Sequence, residues 1–425
     1  MSTVSTPTEE TRTAGVTTVV DRKAAVLFTF LTVVLALIVG LAPQSGDTTF
    51  RLATPTDFVQ VPAVTVPATA TAWVCIIICA LCSAGSFALY RQRRNTPLWL
   101  VILYAVFWMI GFLAWAAAGG TLPVVGLLAG GLALAVPLVF GALGGVLGER
   151  SGVVNIAIDG QLLAGAFAAA IIGSLTGSPW AGLVGAMVAG LLVALVLGLF
   201  AISYYVDQVI VGVVLNVLVI GLTSFMFTQV MDPNAATLNS PPHFDRVAIP
   251  GLGEVPLIGP IFFRQTAIVY LLYVAVPLVT YALWRTRWGL RVRAVGEHPK
   301  AADTVGIKVN RTRYRTVLVA GAVAGMGGAF YTLVSVPQFN REMTGGAGYI
   351  ALAAVIFGKW DPVRATLAAL LFGFASNLQG VLSVIGSPVP SQFMLMLPYV
   401  VTIFAVAGLV GRSRPPAADG VPYRK

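Results

Sequence analysis

Charge is what this sequence has least of. Across 425 residues, Asp, Glu, Lys and Arg together make up 10%, against 57% hydrophobic residues. An average soluble domain carries about 25% charged residues. Mean hydropathy is +0.88. That balance excludes a soluble globular fold and predicts helices that cross a bilayer, each needing roughly 20 apolar residues. Histidine is almost missing: His243 and His298 are the two, both in loop-like stretches. With no HExxH and no Ser/His/Asp set, a membrane-embedded enzyme is disfavoured. Cysteine is confined to Cys75, Cys79 and Cys82, on one face of one apolar segment at helical spacing. Cys79 and Cys82 make a lone CxxC without a second pair, so packing is expected of them and not metal or disulfide chemistry. A GxxxxGK(S/T) phosphate loop is absent too, so the chain is not expected to hydrolyse ATP itself.

What is present is a succession of apolar runs. They fall at about 24–42, 68–90, 98–118, 121–147, 155–172, 179–202, 208–229, 266–284, 317–336, a shorter 347–358, 363–385 and 392–410. The expected fold class is an all-α polytopic membrane protein of about 10–12 transmembrane helices. Residues 1–23 read as a polar tail ahead of an uncleaved first helix. Residues 24–118 read as an N-terminal extension of three helices with a loop at 43–67. Residues 119–410 form the core, with loops at 230–265 and 285–316, and 411–425 is a basic tail. Net charge is +10. In a chain this apolar, the positives are topology signals and not a nucleic-acid footprint. Placing both termini in the cytoplasm puts 22 of the 26 Lys and Arg inside and leaves Arg51, Arg246, Arg264 and Arg341 outside.

Polar groups interrupt the apolar sequence in one place above all. Between Pro137 and Ala170 stand Glu149, Arg150, Asn155, Asp159 and Gln161, flanked by glycines. Ionisable groups at membrane depth cost roughly 2.5–3.5 kcal/mol each on insertion scales, so they normally face a partner or a cavity. The run 337–358 repeats the mixture of polar residues and glycines, and both runs lead through a turn into long spans. Runs five and ten would cross in opposite senses, as in an inverted internal repeat with broken helices at its centre.

The second informative stretch is the loop from Arg285 to Thr316. It carries nine Lys/Arg against Glu297 and Asp303, a net of +7. Pro299 opens and Gly306 closes a short helix-compatible stretch. Trp288-Gly289-Leu290-Arg291, Arg293-Ala294-Val295-Gly296-Glu297, Pro299, Ala301-Ala302 and Gly306-Ile307 resemble the cytoplasmic loop of ABC-importer permeases of the bacterial branched-chain amino acid, ribose and nucleoside superfamily. Glu149-Arg150-Ser151-Gly152-Val153-Val154-Asn155-Ile156, followed by Gly160, resembles the nucleoside-type branch. The family more often has Glu where this chain has Asp159, and the resemblance covers roughly 120–410.

That resemblance implies a permease in the bacterial inner (cytoplasmic) membrane, working by alternating access. ATP and Mg are expected on partner ATP-binding subunits and no cofactor in this chain. A second, different permease subunit, an extracytoplasmic substrate-binding protein and the lipid bilayer are the other implied partners, with no nucleic acid. It places the coupling helix on Arg293, Gly296, Glu297, Pro299, Ala301, Ala302 and Gly306. A nucleoside needs hydrogen-bonding amides and carboxylates and an aromatic face. The pathway candidates are therefore Asn155, Asp159, Gln161, Asn216, Asn340 and Asn377, with Phe140, Phe167 and Phe339 as aromatics. Asn155 and Asp159 are expected one turn apart on one helical face. For each amide the plain alternative is an interhelical hydrogen bond worth about 0.6 kcal/mol; for the phenylalanines it is core or lipid packing. Glu149 and Arg150, and Arg341 and Glu342 in the second half, read as boundary or gate residues. A monosaccharide permease or an ion-coupled secondary transporter with Asp159 as its carboxylate are the alternatives.

Overall fold

The computed structural model describes residues 22–424 except 56, 58, 388, 390–391, 394–395 and 397–413. Among these residues, ten helices are long and apolar enough to cross a membrane. The tail before residue 22 lies outside the described residues, and the expected run 392–410 lies almost entirely outside them. The protein is an all-α polytopic membrane protein. Its chain divides into two compact units, one of residues up to 48 with 66–119, the other of 49–65 with 120 onward.

The first unit holds α1 (Lys23–Leu41), α2 (Ala68–Arg91) and α3 (Leu98–Ala116). Rings and hydroxyls join them. Phe28 stacks on Tyr104 with centroids 4.0 Å apart. The Tyr104 hydroxyl donates to the Phe28 carbonyl and lies 3.0 Å from the Thr32 hydroxyl. Thr29 and Ser83 meet at 2.6 Å. Cys75, Cys79 and Cys82 are free thiols buried in this packing.

The second unit contains α4 (Val124–Arg150), α5 (Ile158–Thr176), α6 (Pro179–Gly198), α7 (Gln208–Met226), the single turn α8 (Ala235–Leu238), α9 (Ala267–Arg285), α10 (Arg287–Glu297), α11 (Pro299–Thr304), α12 (Val309–Phe330), α13 (Ala347–Phe357) and α14 (Pro362–Ile385). Helices α6, α7 and α12 each finish in a wider π-helical turn. Local chemistry sets the starts. Asp207 caps α7 by accepting from the Val209 and Ile210 N–H groups. Asp361 does the same for α14, whose first residue is Pro362. The short helix expected after Pro299 is α11, followed by Gly306 in the left-handed region at φ 86°. Arg264 pairs with Asp57 at 2.9 Å.

Backbones in this unit approach too closely for ordinary side chains. A methyl at Gly190 of α6 would strike the Gly321 carbonyl of α12, and one at Gly325 would strike the Ala186 carbonyl. Gly165 of α5 stands against Gly325 in the same way. Lipid tails give no hydrophobic drive between helices, so dispersion contact at small residues is what holds such spans together. Helix α4 runs unbroken through Pro137, and the chain breaks after it, at 151–157. Helix α13 has 11 residues, about 16 Å at 1.5 Å per residue. That is about half of a 30 Å hydrocarbon core.

Candidate functional site

The 151–157 turn and the first turn of α5 carry a polar seam. Asn155 lies in the turn before α5 begins, so the expected helical face shared with Asp159 does not exist. The sequence placed the helix start too early because Gly152 and the Val-Val pair carry no capping signal. Asn155 instead exchanges hydrogen bonds with Gln161, at 3.1 and 3.2 Å. Asp159 turns to the other polar, glycine-containing run. Its carboxylate accepts from the Gly348 N–H at 2.9 Å and from the Thr344 hydroxyl at 3.4 Å. Gly348 is required there, because any Cβ would enter the Asp159 backbone. The two runs that echo one another in sequence thus meet at this carboxylate.

Asn216 of α7 closes the seam on its other side. It accepts from the Gly160 N–H at 2.8 Å and donates to the Ile156 carbonyl at 2.8 Å and to the Tyr349 hydroxyl at 3.1 Å. Asn155, Asp159, Gln161 and Asn216 are all buried, whereas Tyr349 is 48% exposed. Tyr349 is absent from the sequence-based set. Nothing in the sequence marked it, because the Asp159–Gly348 contact that places it at the seam joins residues 189 positions apart.

Glu149 and Arg150 do not pair with each other. The Glu149 carboxylate accepts from the Trp360 indole N–H, while Arg150 donates to the Trp360 carbonyl at 2.8 Å and the Lys359 carbonyl at 3.4 Å. Arg150 and Arg293 both lie over the Trp284 ring, at 5.2 and 4.6 Å from its centroid. Each such contact contributes about 0.5–2 kcal/mol depending on exposure. Trp284 and Trp360 are further residues that sequence spacing could not bring together.

The remaining candidates are dispersed. Phe140 is fully buried within the α4 core and lies under Gly327 of α12. Phe167 sits edge-on to Phe339 at 5.2 Å, Phe227 lies 6.0 Å from Phe339, and Arg341 stands over Phe227 at 5.7 Å. Asn239 fixes Phe339 by accepting from its N–H and donating to its carbonyl. Asn340 and Glu342 are exposed, and Glu342 adopts φ 53°. Asn377 of α14 is half-buried and donates to the Leu127 and Gly126 carbonyls of α4, away from the seam.

In the arm formed by α10 and α11, Ala302 packs with Val295 and Val309. Gly296 lies against the Arg150 carbonyl with no room for a side chain. Pro299 is the first residue of α11, and Lys300, Ala301, Thr304 and Val305 face outward. Arg291, Lys308, Arg311 and Arg315 line a cavity of about 300 Å³ beside it.

Residues 127–406 match the family described as "Branched-chain amino acid transport system / permease component". The chain is 42% identical over 307 residues to the guanosine ABC transporter permease protein NupQ of Bacillus subtilis, spanning 69% of this chain and 95% of that protein. It is 37% identical over 304 residues to the nucleoside ABC transporter permease protein NupC of Lactococcus lactis, spanning 68% and 93%. It is 34% identical over 310 residues to the putative glucose ABC transporter permease protein TsgC13 of Haloferax volcanii, spanning 68% and 92%. No solved structure matches it. The matched residues take in the seam, the Glu149–Trp360 contact and the α10–α11 arm, and the chain belongs to the branched-chain amino acid transport system permease family, as a multi-pass membrane component of a transport system.

Proposed function

We propose that this chain is the permease subunit of an ATP-driven ABC importer and forms half of a pathway for nucleosides. The carrying observation is the 42% identity that extends over 95% of a guanosine permease. The chemistry of the seam supports it. Tyr349 is exposed and offers a ring whose hydroxyl is already held by Asn216, and the Asp159 carboxylate lies behind it through Gly348. A ring stacks on a base, and amide and carboxylate groups bond ribose hydroxyls or base edges. Asn155, Gln161 and Asn216 line this half-pathway, Phe167 and Phe339 border it, and Arg341 and Glu342 guard its outer end. Asn340, Asn377 and Phe140 take supporting positions.

Lys and Arg placement puts both termini and the 285–316 loop in the cytoplasm. Helix α11, with its outward Ala301, Thr304 and Val305, then docks on an ATP-binding subunit, which carries ATP and Mg. The basic cavity beside it suits an acidic partner surface. A substrate-binding protein delivers solute from outside, and a second, different permease completes the channel. Glu149, Arg150 and the Trp284–Arg293 stack form the inner boundary that rearranges in the cycle.

Uptake of labelled guanosine into vesicles carrying the whole complex tests this. Guanosine, adenosine and uridine should compete, with ribose and glucose ineffective. Competition by glucose or ribose alone would assign the pathway to monosaccharides. Uptake that survives ATP depletion and collapses with a protonophore would replace the ATP-driven reading with ion coupling.

A further inference from the structure

The segment 414–424 lies against the cytoplasmic arm and not free of it. It makes a turn in which Asp419 N–H bonds the Pro416 carbonyl and Val421 N–H bonds the Ala418 carbonyl. Backbone and side-chain bonds then fix this turn to α10. Ala418 N–H donates to the Gly296 carbonyl at 2.9 Å, and Ala417 N–H donates to the Glu297 carboxylate at 3.2 Å. Tyr423 packs on the Val295, Ala302 and Val309 cluster that joins α10, α11 and α12. Arg424 stands over the Tyr205 ring, 5.1 Å from its centroid.

Arg313 is the centre of the contact. It is 1% exposed and is the largest fully buried side chain described. Its guanidinium donates to the Ser151 carbonyl at 3.2 Å, the Val421 carbonyl at 2.9 Å and the Ala418 carbonyl at 3.5 Å. Ser151 belongs to the turn that follows α4; Val421 and Ala418 belong to the segment. A buried cation needs such partners, and without them its desolvation is uncompensated. Gly152, at φ 84°, leaves the space the guanidinium uses: a Cβ there would lie 2.7 Å from Nη2 and 3.0 Å from the Ala418 carbonyl. Gly420, at φ 75°, brings the turn onto Val154, the residue immediately before Asn155 of the Asn155–Gln161 pair.

We infer that residues 415–424 are a strap, anchored by Arg313 as a positioning residue, that fixes the α10–α11 arm to the 151–155 turn so that displacement of α11 is passed to the polar seam. The strap rests on the proposed coupling role of α11 for its purpose but not for its existence. Three of its contacts lie on the arm, at Gly296, Glu297 and the Ala302 cluster, and two on the turn, at Gly152 and Val154, while Arg313 carries the bond to Ser151.

Hydrogen exchange on the full-length permease, compared with a chain ending at Arg414 and with Arg313→Lys and Tyr423→Ala, tests the strap without ATP or substrate. Lysine keeps the charge and loses the planar fork that reaches three carbonyls. The expected result is at least tenfold faster exchange at the amides of residues 292–306 and 151–155 in the shortened chain and in Arg313→Lys. Tyr423→Ala, which leaves Arg313 intact, should show a smaller rise confined to 292–306. Amides of α2 and α3 should be unchanged in all three. Unchanged exchange at 151–155 in both the shortened chain and Arg313→Lys would overturn the strap. In the assembled transporter, the shortened chain should hydrolyse ATP while importing at least tenfold less substrate. Fully coupled import by the shortened chain would equally overturn it. Failure of the native complex to import nucleosides would count against the proposed substrate and leave the exchange result standing.

Discussion

The two units bury polar groups in different ways. In the α1–α3 unit the polar contacts are mostly made by hydroxyls, and two of these also bond their own helix: the exposed Thr29 to the Ala25 carbonyl and the buried Thr32 to the Phe28 carbonyl. A hydroxyl of this kind is satisfied before any neighbour arrives. In the larger unit the buried groups include amides, two carboxylates and a guanidinium, and several of their partners are far away in sequence. Asp159 reaches Gly348, Asn216 reaches Gly160 and Arg313 reaches Val421. Such groups depend on the tertiary arrangement, and a movement that breaks one contact must offer another. The larger unit therefore concentrates the buried polar contacts that span long sequence separations.

The largest effect should come from the backbone contacts that position this network. Gly325→Val places two methyl groups into the Ala186 carbonyl, which cannot move without α6. We expect a loss of about 3 kcal/mol or more, at the upper end of overpacking costs, seen as failure to purify a monodisperse permease in detergent. Leu81→Val on the exposed face of α2 is the control and should leave the melting temperature within a degree or two. Equal tolerance of both would show that the close approach at Gly325 does not hold α6 to α12.

Much of this architecture was legible because hydropathy sees spans directly. Runs near 24–42, 68–90 and 363–385 correspond to α1, α2 and α14 within two residues. The α11 helix was legible from Pro299 and Gly306 alone, since each residue favours one end of a helix through backbone geometry. Asn155 was misplaced because a helix start without a capping side chain leaves no mark in the sequence. The contacts of Asp159 with Thr344 and of Glu149 with Trp360 were not legible. They join residues 185 and 211 positions apart, and periodicity speaks only of neighbours.

Asp159 should come next in size. Asp159→Ala leaves the Gly348 N–H buried without an acceptor, at a cost of about 1–3 kcal/mol. Asp159→Asn keeps an acceptor of similar shape. The alanine variant should lose both stability and uptake; the asparagine variant should retain most of its stability and show whether the charge itself is needed for transport. If alanine is as stable as wild type, the contact between the two polar runs does not hold α13 in place.

Tyr349 separates substrate contact from structural support. Base–aromatic stacking contributes about 1–3 kcal/mol, so Tyr349→Ala should raise the KM for guanosine uptake by about 5- to 150-fold. Tyr349→Phe keeps the ring and loses the bond from Asn216, and its KM should rise by less than tenfold. If the two variants have equal KM values, the hydroxyl and not the ring makes the contact.

The smallest effect gives the sharpest test of the comparison. Asn155 and Gln161 bond reciprocally in the second unit, and Thr32 and Tyr104 touch in the first. Interhelical polar pairs in membranes average about 0.6 kcal/mol and reach about 1.7 kcal/mol. A double-mutant cycle of Asn155→Leu with Gln161→Leu should fall toward the upper value. Each amide there loses its mate when the other is removed and has no helix carbonyl to turn to. The cycle of Thr32→Val with Tyr104→Phe should fall near zero, because both hydroxyls already bond the Phe28 carbonyl and keep that bond when the partner is gone. Thermal unfolding in one detergent measures both cycles under the same conditions. Equal coupling energies would mean that local back-bonding does not make these first-unit hydroxyls independent, and the contrast between the two units' polar contacts would fall.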